Sequence, residues 1–223
     1  MNHLIVFDID GTLIDVQGAG RRAMESAFES SFGIRDAFSG MSFAGETDSG
    51  VLAKAAERHR IILTPDAVDS FKPLFTSRLQ QELERDPGHA LPGLPDLLFE
   101  LQVEGYDLAL ATGNFKPTAY LKLSPFGMAG FFPVGGFGDD GSTRFDVLHQ
   151  ALDRAHTHYQ KKWDRVTVIG DAPGDMEAAR RLDAFGLGVA TGPFSQADLD
   201  AAGARVVLPN LSDHPGLMAQ LKA

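Results

Sequence analysis

The apolar positions of the chain fall into two textures. His3 to Phe7 is a short apolar run containing Ile5 and Val6, which predicts a strand that delivers Asp8 at its end. From Gly18 to Arg85 the apolar residues recur at helical spacing instead. Ala23, Ala27, Phe28 and Phe32, with Gly33 as a stop, predict one helix. Val51, Leu52, Ala55 and Ala56 predict a second, with Thr47 or Asp48 as its N-cap. Val68, Phe71, Phe75, Leu79 and Leu83 predict a longer third, bent by Pro73. Asp86-Pro87-Gly88 then spells a turn.

Beyond Leu91 the texture alternates. A helix through Leu94, Leu97, Leu98 and Leu101 leads to a strand at Asp107 to Ala111. A helix through Leu121 leads to a strand at Phe131 to Val134. A helix through Val147, Leu148, Ala151 and Leu152 leads to a strand at Val166 to Ile169, and shorter strands follow at Leu187 to Ala190 and Arg205 to Leu208. Strands alternating with helices of this length predict an α/β fold: a Rossmann-like parallel sheet covered by helices on both faces. The all-helical stretch interrupts that pattern after the first strand. The expected division is therefore a core of residues 1–15 and 90–223 and an inserted helical domain of residues 16–89, hinged near Gly18 and Gly20 and again near Asp86 to Pro92.

Composition narrows the partners. Of 223 residues, 43% are hydrophobic and 22% charged, enough for a substantial core, and mean hydropathy is −0.09. Twenty basic residues against thirty acidic ones give a net charge of −10. That balance argues against a nucleic-acid partner or an anionic membrane surface. There is no cysteine, which excludes disulfides, thiolate metal sites and a Cys nucleophile. The uncharged stretch from Leu123 to Gly138 spans 16 residues with five glycines and two prolines, too short and broken to cross a bilayer, which takes ~20 apolar residues. Four apolar residues before Asp8 fall short of the ~7–15 of a secretory signal. A cytoplasmic protein is the expectation.

Ligands of an open parallel sheet bind beyond the carboxyl ends of its strands. The first strand delivers Asp8-Ile9-Asp10-Gly11-Thr12 there, the second Ala111-Thr112-Gly113-Asn114, and the strand at Val166 delivers Gly170-Asp171-Ala172-Pro173-Gly174-Asp175. Each alone has a plain explanation: a turn, a strand-end loop, a capped helix start with Pro at its first position. Together they bring four carboxylates to one edge. A like-charged pair ~4 Å apart costs ~4 kcal/mol at an effective dielectric of ~20. A cation or shared protons must offset that repulsion, and carboxylate oxygens without a Cys or His set point to Mg²⁺.

These three loops resemble the motifs of the haloacid dehalogenase-like hydrolases, specifically the phosphatases with a helical cap after the first motif, phosphoglycolate phosphatase among them. Asp8 to Leu13 stands as the first motif, Thr112-Gly113-Asn114 as the second and Gly170 to Asp175 as the fourth, in the right order along the whole chain. The resemblance implies a phosphatase that splits a small phosphorylated metabolite in two steps. Asp8 would be the nucleophile, and a carboxylate needs no base to activate it. Asp10 would protonate the leaving alcohol and then deprotonate the attacking water, a role that calls for a raised pKa. Mg²⁺ would be held by Asp8, the Asp10 carbonyl and Asp171, with Asp175 beside them. Thr112, Gly113 and Asn114 would cradle the phosphoryl oxygens. The loop Phe43 to Asp48, with Thr47, would meet the substrate from the cap, and Gly18 and Gly20 would permit opening.

One departure from the pattern is the third motif, whose usual Lys is absent. Arg144 occupies about the right place, and its planar fork can bridge a carboxylate and a phosphoryl oxygen. Lys122, on the helix after Asn114, is its competitor, reaching back toward Asp8. Sugar-phosphate mutases of the same superfamily share Asp10, so a mutase is the alternative within the family. A receiver-like phospho-signalling domain, which also clusters aspartates and Mg²⁺, is the alternative from another class. It would accumulate phosphoprotein where a phosphatase turns over. Lys54 and Lys72, the candidates for a Schiff-base lysine, fit solvated helix faces. Trp163 fits packing, Asp139-Asp140 a turn, and His156 and His158 a surface loop past a helix end. The substrate and the oligomeric state are not legible.

Overall fold

The structure, a computed structural model, describes residues 2–222. Strand β1 (His3–Phe7) ends at the first acidic loop, and β2 (Ile14–Asp15) follows it. Three helices come next: α1 (Ala19–Phe32), α2 (Asp48–Arg58) and α3 (Pro65–Arg85). The chain returns through β3 (His89–Ala90), α4 (Asp96–Val103), β4 (Asp107–Ala111) and α5 (Lys116–Leu123). Then come β5 (Gly135–Gly136), α6 (Arg144–Tyr159), β6 (Arg165–Gly170), α7 (Pro173–Arg181) and β7 (Phe185–Val189). The last elements are α8 (Gln196–Ala202), β8 (Val206–Leu208) and α9 (His214–Lys222). The strands form a six-stranded parallel sheet in the order β5-β4-β1-β6-β7-β8, the α/β architecture that the sequence predicts.

Alternation along β1 divides the core between the two faces. Leu4 and Val6 pack with Val147, Leu148 and Ala151 of α6 and Ala178 and Ala179 of α7. Ile5 and Phe7 pack on the other side with Leu97, Leu98 and Leu101 of α4 and Leu217 and Leu221 of α9. That second cluster continues without a break into the helical stretch, where Phe75 of α3 stands edge-on to Phe115 at 6.1 Å. The ends of α1 and α2 follow local sequence. Gly33 closes α1 with φ 71°, and the Thr47 hydroxyl accepts the Gly50 N–H (3.0 Å) at the start of α2.

Three details differ from the sequence expectation. The strand at Phe131 to Val134 is displaced: residues 129–131 form a 3₁₀ turn, and pairing with β4 occurs at Gly135–Gly136. Pro133 has no N–H to give a ladder. A Cβ on Gly136 would stand 1.9 Å from the Val147 carbonyl oxygen, so only glycine lets α6 lie this close to the edge strand. An antiparallel ribbon pairs Ile14 with Ala90 and Asp15 with His89, tying together the two crossings between sheet and helical stretch; strands of two residues leave no periodic trace. His156 and His158 belong to the last turn of α6 rather than to a loop past it, with His156 Nδ1 against the Lys161 carbonyl at 3.2 Å.

Candidate active site

The three strand-end loops, two of them acidic, converge at the carboxyl edge of the sheet. Asp8, Asp171 and Asp175 are all buried, and one carboxylate oxygen from each lies within 4.8 Å of the others. Gly11 makes the approach possible: its φ is 79°, and a Cβ there would stand 2.4 Å from Asp171 Oδ2. The Thr12 hydroxyl donates to Asp171 Oδ1 at 3.3 Å, and Asp175 Oδ2 accepts the Ala172 N–H at 3.3 Å.

Arg144, the first residue of α6, reaches into this cluster. Its Nη1 lies 2.9 Å from Asp8 Oδ1 and 3.4 Å from Asp175 Oδ1, and its Nε donates to the Gly45 carbonyl at 3.3 Å. Burial works against the guanidinium's charge, but Asp175, Asp8 and Asp171 outweigh it and raise its pKa. One cation among three carboxylates leaves the cluster short of positive charge. Burial, with Asp8 and Asp175 nearby, pushes Asp171 up to about 8; burial and Asp8 push Asp175 up to about 7. Buried, crowded, all-oxygen donors with surplus negative charge fit a hard divalent cation such as Mg²⁺.

Asp10 lies outside that cluster and meets a different cation. Lys122 Nζ stands 2.8 and 2.7 Å from its two oxygens and 2.6 Å from Asn114 Oδ1, while Asn114 Nδ2 donates to Asp10 Oδ2 at 2.7 Å. Lys122 therefore reaches Asp10, not Asp8 as its place in the sequence suggests. The raised pKa expected of Asp10 is also absent. Burial pushes it up, but the pairing with Lys122 and the bond from Asn114 more than reverse this, holding it below the usual carboxylate range.

The remaining predicted residues are placed as follows. Thr112 is fully buried, and its hydroxyl accepts the Asn114 N–H (3.3 Å) and Asn114 Nδ2 (2.8 Å). Gly113 and Asn114 line the cavity in front of the site, and the Gly113 carbonyl accepts the Asp48 N–H at 2.7 Å. Thr47 lines the same cavity, although its hydroxyl is engaged as the cap of α2. Lys54 pairs with Glu46 at 2.5 Å on an exposed face. Lys72 is not on a solvated face: it bridges to Asp139 at 2.6 Å, joining α3 to the turn after β5. Trp163 packs against the apolar cluster under α6 and donates to Asp107 at 2.6 Å.

Asp48, which the sequence suggests as a possible cap and as the end of the substrate-facing loop, also ties that loop to α5. Its carboxylate accepts the Phe115 N–H at 2.8 Å from the start of α5. Burial pushes it up to about 6, with Asp10 and Asp139 adding to the rise and Lys122 opposing it. The loop Thr191-Gly192-Pro193 also lines the cavity unannounced, with the Thr191 hydroxyl donating to the Gly11 carbonyl at 2.5 Å. Its only signal in the sequence is its position after a strand of the sheet.

A parallel α/β sheet thus carries two acidic loops, a hydroxyl- and amide-bearing loop and a paired guanidinium at one edge. The chain belongs to the haloacid dehalogenase-like hydrolases, whose family profile matches residues 3–183, and it is an enzyme of that class. It is 26% identical over 223 residues to the "Probable phosphatase IndB" of Dickeya dadantii, covering 97% of this chain and 93% of that protein. It is also 26% identical over 216 residues to a phosphoglycolate phosphatase of Vibrio cholerae, covering 88% and 90%. The crystal structure of a hydrolase from Pseudomonas syringae shares the fold, with a TM-score of 0.71 at 23% identity over 97% of both chains.

Proposed function

We propose that this enzyme is a Mg²⁺-dependent phosphatase that hydrolyses a small phosphate monoester through an aspartyl-phosphate on Asp8. The observation that carries the proposal is the cluster of Asp8, Asp171 and Asp175 within 4.8 Å of one another, short of positive charge and served by Arg144. The helical stretch of residues 16–89 acts as a cap, since its loop from Phe43 to Asp48 lines the cavity.

An Asp8 oxygen attacks phosphorus, the P–O ester bond breaks, and its electron pair leaves with the alcohol oxygen, which takes the Asp10 proton. Water then attacks the aspartyl-phosphate, Asp10 recovers a proton from it, and phosphate and free Asp8 result. In the substrate-free site Lys122 keeps Asp10 ionised. A monoester's second pKa is about 6, so part of the substrate brings a proton with it, and the phosphoryl charge beside Asp10 offsets Lys122. Arg144 bears on the phosphoryl oxygens as charge develops there. The carboxylates of Asp8 and Asp171 and the Asp10 carbonyl would hold Mg²⁺, with Asp175 adjacent; bound there, Mg²⁺ neutralises phosphoryl charge.

The test is phosphate release from p-nitrophenyl phosphate. Activity is expected with Mg²⁺, to vanish in excess chelator and to return when Mg²⁺ is restored. Undiminished activity in chelator would refute the metal assignment. Phosphoprotein that accumulates without turnover would favour the receiver alternative.

A further inference from the structure

The site opens into a cavity of about 400 Å³ that is large enough to take the leaving alcohol as well as the phosphoryl group, and the charges on its wall restrict that alcohol. Among the described residues, three basic ones line it: Arg21, Lys122 and Arg144. Arg144 and Lys122 belong to the phosphoryl end, where Asp8 and Asp10 hold them. Arg21 is the cation available to the alcohol, and it is already committed. Its Nε donates to Glu25 at 2.9 Å, its Nη1 to the Met41 carbonyl at 2.9 Å and its Nη2 to the Phe38 carbonyl at 2.7 Å. The guanidinium also lies 4.8 Å from the centre of the Phe43 ring.

The rest of that wall is acidic, apolar or uncharged polar, the last from Thr47, Asn114 and Thr191. Asp15 and Asp48 face the cavity held by backbone N–H groups, of Gln17 at 2.7 Å and Phe115 at 2.8 Å, rather than by cations. Glu46 is already neutralised by Lys54. Phe43, Ala44 and Pro193 supply accessible apolar surface between them, backed by the buried Ile14, Val16 and Val51. A carboxylate or second phosphate on the alcohol would enter beside like charges with no cation left to pair it, whereas an uncharged carbon skeleton meets apolar side chains.

We infer that the substrate is the phosphomonoester of an uncharged, partly apolar alcohol, carrying neither a carboxylate nor a second phosphate. The inference builds on the phosphatase reading. It also separates this chain from relatives named for phosphoglycolate, whose leaving group is a carboxylate-bearing alcohol.

The experiment compares kcat/KM, in Mg²⁺, for p-nitrophenyl phosphate, β-glycerol phosphate, phosphoglycolate and a hexose bisphosphate. β-Glycerol phosphate, an alkyl ester like the two charged ones, is expected to exceed both of them by at least ~10-fold, the effect of roughly one unpaired like-charge contact, while p-nitrophenyl phosphate, an activated aryl ester, reports only that the enzyme turns over. A smaller margin or a reversed order, with p-nitrophenyl phosphate still cleaved, overturns the inference and leaves the phosphatase reading standing. Hydrolysis of none of the four refutes the phosphatase reading itself and this inference with it. An Arg21→Met variant supplies a second readout, because a ratio of two substrates cancels any loss of folded enzyme. The ratio of phosphoglycolate to β-glycerol phosphate is expected to stay unchanged; a fall of ~10-fold would show that Arg21 reads the carboxylate and overturn the inference.

Discussion

Asp8 and Asp10 lie two residues apart at the end of β1, yet each meets a different kind of neighbourhood. Asp8 sits among two further buried carboxylates with one guanidinium among the three, and protons are drawn onto Asp171 and Asp175 as a result. Asp10 has an ammonium to itself on both oxygens, steadied by Asn114, and stays ionised. The first half of the site is deficient in positive charge and suited to gain a metal and a phosphoryl group. The second half is balanced before anything binds. The proposed nucleophile and the proposed proton carrier thus occupy opposite electrostatic settings two residues apart, which is how neighbouring carboxylates can be given different tasks.

The largest break in this comparison comes from removing either carboxylate. Asp8→Asn deletes the proposed nucleophile and is expected to abolish turnover, a loss of at least ~10⁴-fold in kcat. Asp10→Asn is expected to lose hydrolysis of alkyl esters to a comparable degree while still forming phosphoenzyme from acetyl phosphate, whose leaving group needs little protonation. Rate assays with phosphoenzyme trapping check both. Normal turnover of an alkyl phosphate by Asp10→Asn would remove Asp10 from the proton transfers.

The two cations sharpen the contrast at the next level. Arg144→Ala takes away a charge-assisted contact on the phosphoryl side and is expected to reduce kcat by ~10²–10³-fold at every pH. Lys122→Met acts through Asp10. Without the ammonium, burial is opposed only by the bond from Asn114 and the more distant Arg144, and the Asp10 pKa rises, so the alkaline limb of kcat/KM moves to higher pH. Thermal melting confirms folding in each case. A pH shift in Arg144→Ala alone, or a uniform rate loss in Lys122→Met alone, would exchange the two roles.

Sequence made one half of this picture more legible than the other. Asp8, Asp10, Asp171 and Asp175 were readable because each ends or follows an apolar strand, and strand ends of a parallel sheet share an edge. Arg144 was readable from its place in the chain order, and the structure sets it against Asp8. The partner of Lys122 was not, because a long flexible side chain on α5 can point at either aspartate, and only the packing of α5 decides. The contact of Asp48 with the start of α5 was hidden by its local role: beside an N-cap Thr, an Asp needs no further partner. The displaced edge strand β5 failed for a related reason, since a pair of glycines carries no hydrophobic period and is chosen by the helix behind it.

The smallest test concerns the limit of that balanced half, where Lys122 offsets Asp10 but compensates Asp48 only in part. The Asp48 pKa is about 6 in the fold against an ordinary 3.8. For a carboxyl raised on folding, the contribution to stability is fullest below its unfolded value and is lost as pH rises through the folded one. At neutral pH the ionised Asp48 therefore destabilises the fold. The full shift corresponds to about 3 kcal/mol, and partial exposure reduces it to ~1–2 kcal/mol. Asp48→Asn removes the charge and keeps an oxygen for the Phe115 N–H. Urea unfolding at neutral pH is expected to show the variant more stable by ~1–2 kcal/mol, with the difference shrinking as pH falls from 6 towards 4. A variant less stable at neutral pH would mean that the carboxylate's hydrogen bond to the start of α5 outweighs its burial. Asp48 would then belong with Asp10 as a charge the site has already accommodated, and the deficit would be confined to the cluster around Asp8.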